Sequence, residues 1–249
     1  MTITMIVLVA IVVFVGALMR ATFGFGEAVI SMPLLALLPI GLHTSISLIG
    51  LAGLTVAGMA IPSAWRHIDR SILIWLSIAT LLGIPIGLAL VKLAPAGVIT
   101  RTLGVLLIGY SVYSLIRDGM AQTTASSWFN NKGWVFPFGF AAGALGSAYN
   151  LTGIPVVVYG TLRRWNPSRF HGTLQAHFLV AGIFVVIGQA LGGLWTANLF
   201  LLYGVSLPAI ILATLLGLFL RQHIPAEKFK RYVFFVITAL GILLLVNPT

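Results

Sequence analysis

The sequence predicts an all-α polytopic membrane protein built from two inverted-topology repeats, each a re-entrant or short helical hairpin followed by three transmembrane helices. Three observations predict this fold: a strongly apolar composition, an internal repeat, and two short apolar segments that follow glycine-rich breaks. The 249 residues are 59% hydrophobic and 7% charged, and the mean hydropathy is +1.10. A soluble globule of this size could not bury so much apolar surface, so the surrounding solvent must be lipid.

The internal repeat is an ordered series of residues that recurs in the second half of the chain at a nearly constant spacing. Gly16-Ala17-Leu18 matches Gly143-Ala144-Leu145, and the clearest match pairs Gly87, Leu88, Leu90, Pro95, Ala96 and Arg101 with Gly217, Leu218, Leu220, Pro225, Ala226 and Arg231. Two copies of one structural unit explain such a series. We therefore divide the single transmembrane domain, residues 1–249, into repeat one at about 1–117, a cytoplasmic link at 118–132 and repeat two at about 133–249.

Apolar runs predict the helices. The long runs cover residues 3–19, 43–63, 71–91, 97–116, 134–149, 171–195, 197–220 and 227–246, and most of them are long enough to cross the hydrocarbon core. Two shorter runs, 28–39 and 154–162, follow the glycine-rich breaks. At about 1.5 Å per residue these reach only about 18 and 14 Å, which is typical of half-membrane helices in hairpins.

Lysine and arginine are unevenly distributed over the loops, and this distribution predicts the two sides of the membrane. Cationic residues accumulate in cytoplasmic loops. Lys92 and Arg101 fall outside, whereas eleven of the fourteen fall in loops that we assign to the cytoplasm: Arg66, Arg70, Arg117, Lys132, Arg163, Arg164, Arg169, Arg221, Lys228, Lys230 and Arg231. This assignment gives the two copies opposite orientations and places both termini outside the cytoplasm. Orientation and anionic lipid headgroups explain the net charge of +10, so no nucleic-acid partner is expected.

Two copies of opposite orientation indicate a transporter, because units related by an in-membrane two-fold axis can open one central site to alternate sides. A duplication that merely produced a stable bundle is the alternative. The chain has no cysteine, Walker loop or Gly-x-Ser-x-Gly elbow, and Asp69 and Asp118 are too distant in sequence to suggest a catalytic pair. We expect secondary transport without a cofactor or metal. A passive anion channel and, less favoured, an intramembrane lipid-modifying enzyme stay as alternatives.

Both glycine-rich breaks carry candidate substrate-binding residues. They are Gly24, Phe25 and Gly26 in the first break, and Tyr149, Asn150, Thr152 and Gly153 in the second. Glycine lets the backbone leave helical geometry, and each following half-helix begins with N–H groups that lack intrahelical acceptors. Two such ends that converge near the bilayer midplane would bind a small oxyanion. The alternative explanation for these glycines is close helix packing.

Glu27 is the one acid that lies away from the loops, and a carboxylate in lipid must be paired, protonated or functional. Arg20 is its nearest candidate partner; a structural salt bridge and a proton-coupling role are equally supported, and Arg20 snorkelling to the interface is a third option.

Gln175 and His177, in the apolar run 171–195, are second-rank candidates for substrate binding. For each of them the alternative is a hydrogen bond to another helix. Gln189 shares a helix face with Gln175, and that face should look into the protein.

The first hairpin segment reads Gly24-Phe25-Gly26-Glu27-Ala28-Val29-Ile30-Ser31-Met32-Pro33-Leu34-Leu35, and the second reads Thr152-Gly153-Ile154-Pro155-Val156-Val157-Val158-Tyr159-Gly160. These two segments resemble the signature regions of the TauE/SafE family of sulfite exporters and related anion permeases. The resemblance implies a bacterial inner-membrane transporter of sulfite or small organosulfur anions, such as sulfonates or sulfoacetate. Expected partners are thus a small anion and membrane lipids, with coupled protons left open and the oligomeric state not predicted. Members often have a longer glycine run in place of Glu27-Ala28, and Gly-Pro-Pro in place of Gly153-Ile154-Pro155, so the particular anion is not identified.

Overall fold

A computed structural model describes residues 2–119, 131–221, 223 and 226–246. Of these residues 87% are helical and none forms a strand. Six of the described helices are long and apolar enough to cross a membrane. These observations confirm the predicted all-α, multi-pass membrane fold, whereas most of the predicted link at 118–132 lies outside the described residues.

Ten α-helices follow one another along the described chain. They are α1 (Ile3–Phe23), α2 (Glu27–Ala36), α3 (Leu42–Ala64), α4 (Arg70–Leu93), α5 (Ala96–Gly119), α6 (Val135–Tyr149), α7 (Gly153–Leu162), α8 (Pro167–Leu191), α9 (Ala197–Leu220) and α10 (Ala226–Val246). The two predicted short helices are confirmed as α2 and α7, each of 10 residues, although α2 ends at Ala36, three residues before the end of the predicted run 28–39. Each follows a longer apolar helix and precedes three more, so both halves have the same order of elements.

Helix α8 begins and ends earlier than the predicted run 171–195. Asn166 accepts a hydrogen bond from the Arg169 amide, and Pro167 occupies the first turn, where its missing N–H costs nothing. The helix stops before Gly192, and Gly193 adopts a left-handed φ of 74°. Hydropathy alone missed these capping signals, because the first turn is polar and the residues after the end are apolar.

Both glycine-rich breaks are tight turns between a long helix and a half-helix. Gly24 ends α1 with φ 85°, and Gly26 precedes α2 with φ 103°. In the second break Asn150 takes the left-handed position with φ 58°, which asparagine tolerates better than most residues. The chain can therefore reverse within a few residues at both places.

The helices pack in pairs that join the two halves of the chain: α1 with α9, α4 with α6, α3 with α8 and α5 with α10. Small residues allow the closest approach. A Cβ at Gly83 would collide with the Phe140 carbonyl oxygen, and one at Gly143 would collide with the Thr80 carbonyl oxygen. Glycine thus permits backbone contact between α4 and α6.

Basic residues gather at one end of the bundle, which we call the basic end. Asp69, before α4, pairs with Arg169 at the start of α8, and Arg221, after α9, hydrogen-bonds His171. Arg163 shares a surface depression with Asp69 and Arg169. The structure therefore brings together loops that the sequence assigns to one side.

At the opposite end of the bundle, hydrogen bonds between uncharged groups join distant segments. The hydroxyls of Thr44 and Thr196 are 2.8 Å apart, and Ser47 donates to the Leu194 carbonyl at 3.2 Å. The turn before α3 and the turn before α9 thus lie together. Which end faces the cytoplasm stays a prediction.

Candidate functional site

The two turns meet at a small cavity, here called the central cavity. Its volume is about 50 Å³. At about 10–15 Å³ of such volume per water, this would hold roughly four waters or one small polyatomic ion. The lining combines residues from both turns with residues of α3 and α8: Arg20, Phe25, Gly26, Glu27, Ala28, Val29, Ile49, Gly50, Gly53, Leu54, Asn150, Leu151, Thr152, Gly153, Ile154, Phe178, Gly182 and Val185.

The central cavity lies midway along the two long helices that flank it. Gly53 is the central residue of α3, Leu42–Ala64, and Phe178 adjoins the centre of α8, Pro167–Leu191. Both helices are long enough to span a membrane. The cavity is therefore at mid-depth in the bundle.

A buried ion pair lines one part of the cavity. Arg20 Nη1 donates to Glu27 Oε2 at 2.8 Å, and the two residues are 9% and 3% exposed. The Arg20 guanidinium also lies 4.6 Å from the centre of the Phe178 ring, within cation–π range. Within the described part of the chain, Arg20 Nε and Glu27 Oε1 have no hydrogen-bond partner. Arg20 and Glu27 thus form an ion pair, and each has a side-chain atom that is free to form a further hydrogen bond.

Gly53 provides the space for this ion pair. A Cβ at Gly53 would lie 2.7 Å from Arg20 Nη1 and 3.0 Å from Glu27 Oε2. Any side chain at this position would therefore push against both charged groups.

The starts of both half-helices also line the cavity. Neither α2, which begins after Gly26, nor α7, which begins after Thr152, has a side-chain cap. The first N–H groups of a helix have no intrahelical acceptor, and they carry the positive end of the helix dipole. The two turns touch, because a Cβ at Gly153 would lie 3.8 Å from Phe25 Cβ. Two helix starts and one guanidinium thus converge on one small space.

An amide cluster lies between the second turn and α8, and it consists of Asn150 and Gln189. Asn150 Nδ2 donates to the Ile46 carbonyl at 2.6 Å. Gln189 Nε2 lies 3.3 Å from Asn150 Oδ1 and 3.4 Å from the Ser147 carbonyl. Gln175 and Gln189 are 2% and 0% exposed, which confirms that their shared face looks into the protein.

The structure brings seven of the eleven candidate site residues to the cavity wall. These are Arg20, Phe25, Gly26, Glu27, Asn150, Thr152 and Gly153. They come from both turns, which are far apart in sequence. Whether they bind substrate stays a prediction.

The other four candidates do not line the cavity. Gln175 stabilises the first turn, because its Nε2 donates a hydrogen bond to the Gly24 carbonyl at 3.0 Å. Tyr149 is fully buried, and its hydroxyl donates to the Ile99 carbonyl at 3.2 Å. His177 Nε2 lies 2.9 Å from Thr80 Oγ1 between α8 and α4. These contacts support the turns and the helix packing around the cavity.

Sequence reasoning missed the contribution of α3 and of Phe178. Gly50 and Gly53 lie one turn apart and face the cavity. Two glycines at this spacing in the middle of an apolar helix were a usable signal, although 27 glycines in the chain dilute it. No pattern in the sequence distinguishes Phe178 from the other phenylalanines.

The fold and the site define a class: a polytopic α-helical membrane protein with two helical hairpins whose turns meet at a polar cavity at mid-depth in the bundle. Residues 8–244 match the profile of the family described as "Sulfite exporter TauE/SafE". Because this match covers nearly the whole chain, the protein belongs to the TauE/SafE family, a family of transporters. Searches of curated proteins and of solved structures found no match.

Proposed function

We propose that this protein is a secondary transporter that moves a small oxyanion of the sulfite, sulfonate or sulfoacetate class across the bacterial inner membrane. The observation that carries this proposal is the convergence of the α2 and α7 starts on the central cavity beside buried Arg20. Helix starts bind anions through N–H groups and the dipole, and a guanidinium matches an oxyanion in shape and charge. A cavity of about 50 Å³ suits a small anion.

Alternating access by two inverted repeats is the proposed mechanism. The two halves share one order of helices, and each packing pair joins the first half to the second. If the halves are inverted copies, the pairs α1 with α9 and α4 with α6 are equivalent contacts. Exchange of conformation between the halves would then open the cavity to each side in turn.

The Arg20–Glu27 pair is proposed to control anion binding. Glu27 occupies part of the hydrogen-bonding surface of Arg20, so an incoming anion competes with this carboxylate. Protonation of Glu27 removes the competitor and its negative charge. Anion binding should therefore strengthen as pH falls, and a proton can travel with the anion.

Flux through purified protein in liposomes tests the proposal. Sulfite, sulfate, sulfoacetate and taurine are offered under imposed pH gradients, and saturable uptake of at least one oxyanion is expected. Arg20→Ala should abolish this uptake, whereas Arg101→Ala, an exposed arginine on α5, should retain it. Absence of flux for all four solutes would contradict the proposal. Non-saturating conductance would favour a passive channel instead.

A further inference from the structure

The amide cluster presents oxygen atoms, not N–H groups, towards Gly50. Asn150 Nδ2 is used by the Ile46 carbonyl, which leaves Asn150 Oδ1 as an acceptor. The Gln189 nitrogen faces two acceptors, Asn150 Oδ1 and the Ser147 carbonyl. This network fixes the orientation of both amides, so Gln189 Oε1 points away from it.

Gln189 Oε1 is buried and unsatisfied. Gln189 is 0% exposed, and among the described residues its Oε1 has no hydrogen-bond partner. A Cβ at Gly50 would lie 2.6 Å from Gln189 Oε1 and 3.1 Å from Asn150 Oδ1. The missing side chain at Gly50 thus leaves the space in which these two oxygens lie, and we call this place, formed by Gly50, Asn150 and Gln189, the notch. Gly50 and Asn150 line the central cavity, whereas Gln189 does not, so the notch adjoins the cavity.

The surrounding backbone favours positive charge at this place. Helix α6 ends at Tyr149, with Asn150 in the C-cap position. The C-terminal end of a helix carries the negative end of its dipole. A buried acceptor without a donor, such as Gln189 Oε1, is suited to a cation when it lies beside a helix C-terminus, and broken transporter helices use such ends for coupling ions.

We infer that the notch formed by Gly50, Asn150 and Gln189 is a sodium-ion site. Neutral amide oxygens, supplemented by carbonyl or water oxygens, suit a hard monovalent cation better than a divalent ion, which needs carboxylates for charge. No group of three or more His, Cys, Asp or Glu side chains that could hold a metal occurs in the part of the chain that the structure describes. Gly53, which adjoins Arg20, lies one helical turn from Gly50 along α3. A Na⁺ ion in the notch would therefore balance the charge of an anion held by Arg20.

The role of this site as a coupling site rests on the proposed anion transport, but the binding of Na⁺ does not. Direct binding of ²²Na⁺ to the purified full-length protein therefore tests the site by itself. Saturable binding that excess Na⁺ displaces and choline does not is expected. Absence of saturable ²²Na⁺ binding would overturn the inference, whatever the anion flux shows.

Two variants and one matched control connect the binding to the notch. Gln189→Leu removes the unsatisfied oxygen, and Gly50→Ala places a methyl group 2.6 Å from Gln189 Oε1, so that this oxygen must move. Each should weaken ²²Na⁺ binding by about tenfold or more, as loss of a ligand or of its orientation does at metal sites. Gly58→Ala places a methyl group on the same helix where nothing lies within 4 Å, so it should bind ²²Na⁺ like the parent. Equal binding by all three variants would exclude the notch as the site. If Gln189→Leu fails to fold, Gly50→Ala decides.

Anion flux provides the second measurement. Uptake of a sulfonate into liposomes is compared in Na⁺, K⁺ and choline media, and Na⁺ should stimulate it in the parent and in Gly58→Ala but not in Gly50→Ala. Equal uptake in all three media would refute Na⁺ coupling and leave the anion transporter intact. No uptake in any medium would instead contradict the proposed function, and the ²²Na⁺ binding measurement would still decide the cation site.

Discussion

Replacement of Glu27 by glutamine tests whether this carboxylate competes with the anion for Arg20. The change keeps the shape of the side chain and removes its charge, leaving Arg20 buried, at 9% exposure, without a counter-ion. A unit charge pair whose charge centres are about 4 Å apart is worth about 4 kcal/mol at an effective dielectric constant near 20. Loss of one partner of a buried pair typically costs about 3–5 kcal/mol. The ligand-free variant should therefore unfold at a lower temperature than the parent.

The same change should strengthen anion binding, because the anion then supplies the missing counter-charge. If it recovers about half of the lost interaction, affinity at neutral pH rises by roughly 10- to 100-fold, at about 1.4 kcal/mol per tenfold. A simple sulfonate is the appropriate probe because its charge is constant between about pH 5 and 8. In the parent, affinity should increase as pH falls and Glu27 takes up a proton. In Glu27→Gln, affinity should be high and independent of pH.

Binding is measured by calorimetry on purified protein, together with the unfolding temperature with and without the sulfonate. Asp69→Asn is the matched control, because it also removes a carboxylate from a pair with an arginine, but at the basic end. That pair is more exposed, at 21% and 41% for the two side chains, so the control should change stability little and sulfonate affinity not at all. Weaker sulfonate binding by Glu27→Gln at every pH would refute the reasoning and make Glu27 a direct contributor to anion binding.

Three further predictions follow from the geometry of the turns and from the distribution of charge. Arg20→Lys keeps the positive charge but loses the planar set of N–H donors of the guanidinium, so sulfonate affinity measured by calorimetry should fall by about tenfold or more. Unchanged affinity would argue against a direct contact between Arg20 and the sulfonate. Gly26→Ala forces a side chain to adopt φ 103° although nothing lies within 4 Å, so it should lower the unfolding temperature through strain of about 1–2 kcal/mol, whereas Gly58→Ala should not. Because the chain has no cysteine, Pro39→Cys and Ser168→Cys, both at exposed positions, can be labelled singly with an impermeant maleimide, and labelling from opposite sides of the membrane is expected. Labelling of both from one side would refute the inverted repeats.

The sequence predicted those parts of the fold that depend on local physical chemistry. Hydropathy located α1, α3 and α9, and the length of the apolar runs after the breaks identified α2 and α7 as half-helices. The Arg20–Glu27 pair was also predictable, because a carboxylate in an apolar segment needs a nearby partner. Each of these inferences uses residues that are close together in the chain.

The remaining parts of the site depend on contacts between distant segments. Gly53 matters because its missing side chain accommodates the Arg20–Glu27 pair, and nothing in α3 alone reveals this. His177 looked like a binding candidate in the sequence, yet its Nε2 lies 2.9 Å from the Thr80 hydroxyl on α4. A polar residue in an apolar helix signals that some partner exists, but the tertiary packing decides whether the partner is a ligand or another helix.

The charge distribution around the cavity makes a last prediction, which joins the two proposed ion sites. Gly53 adjoins the Arg20–Glu27 pair and Gly50 adjoins the amide notch, about 5 Å apart along α3. At this range opposite charges attract by about 3 kcal/mol at a dielectric constant near 20, so loss of the Glu27 charge should weaken Na⁺ binding by tenfold or more. A bound sulfonate restores one negative charge and should restore Na⁺ affinity.

Glu27→Gln should therefore bind ²²Na⁺ weakly alone and normally with saturating sulfonate. Linkage requires that Na⁺ tighten sulfonate binding by the same factor. Both measurements must then give the same factor, which should be about tenfold or more, and a factor of one in both would show that the two ions do not interact.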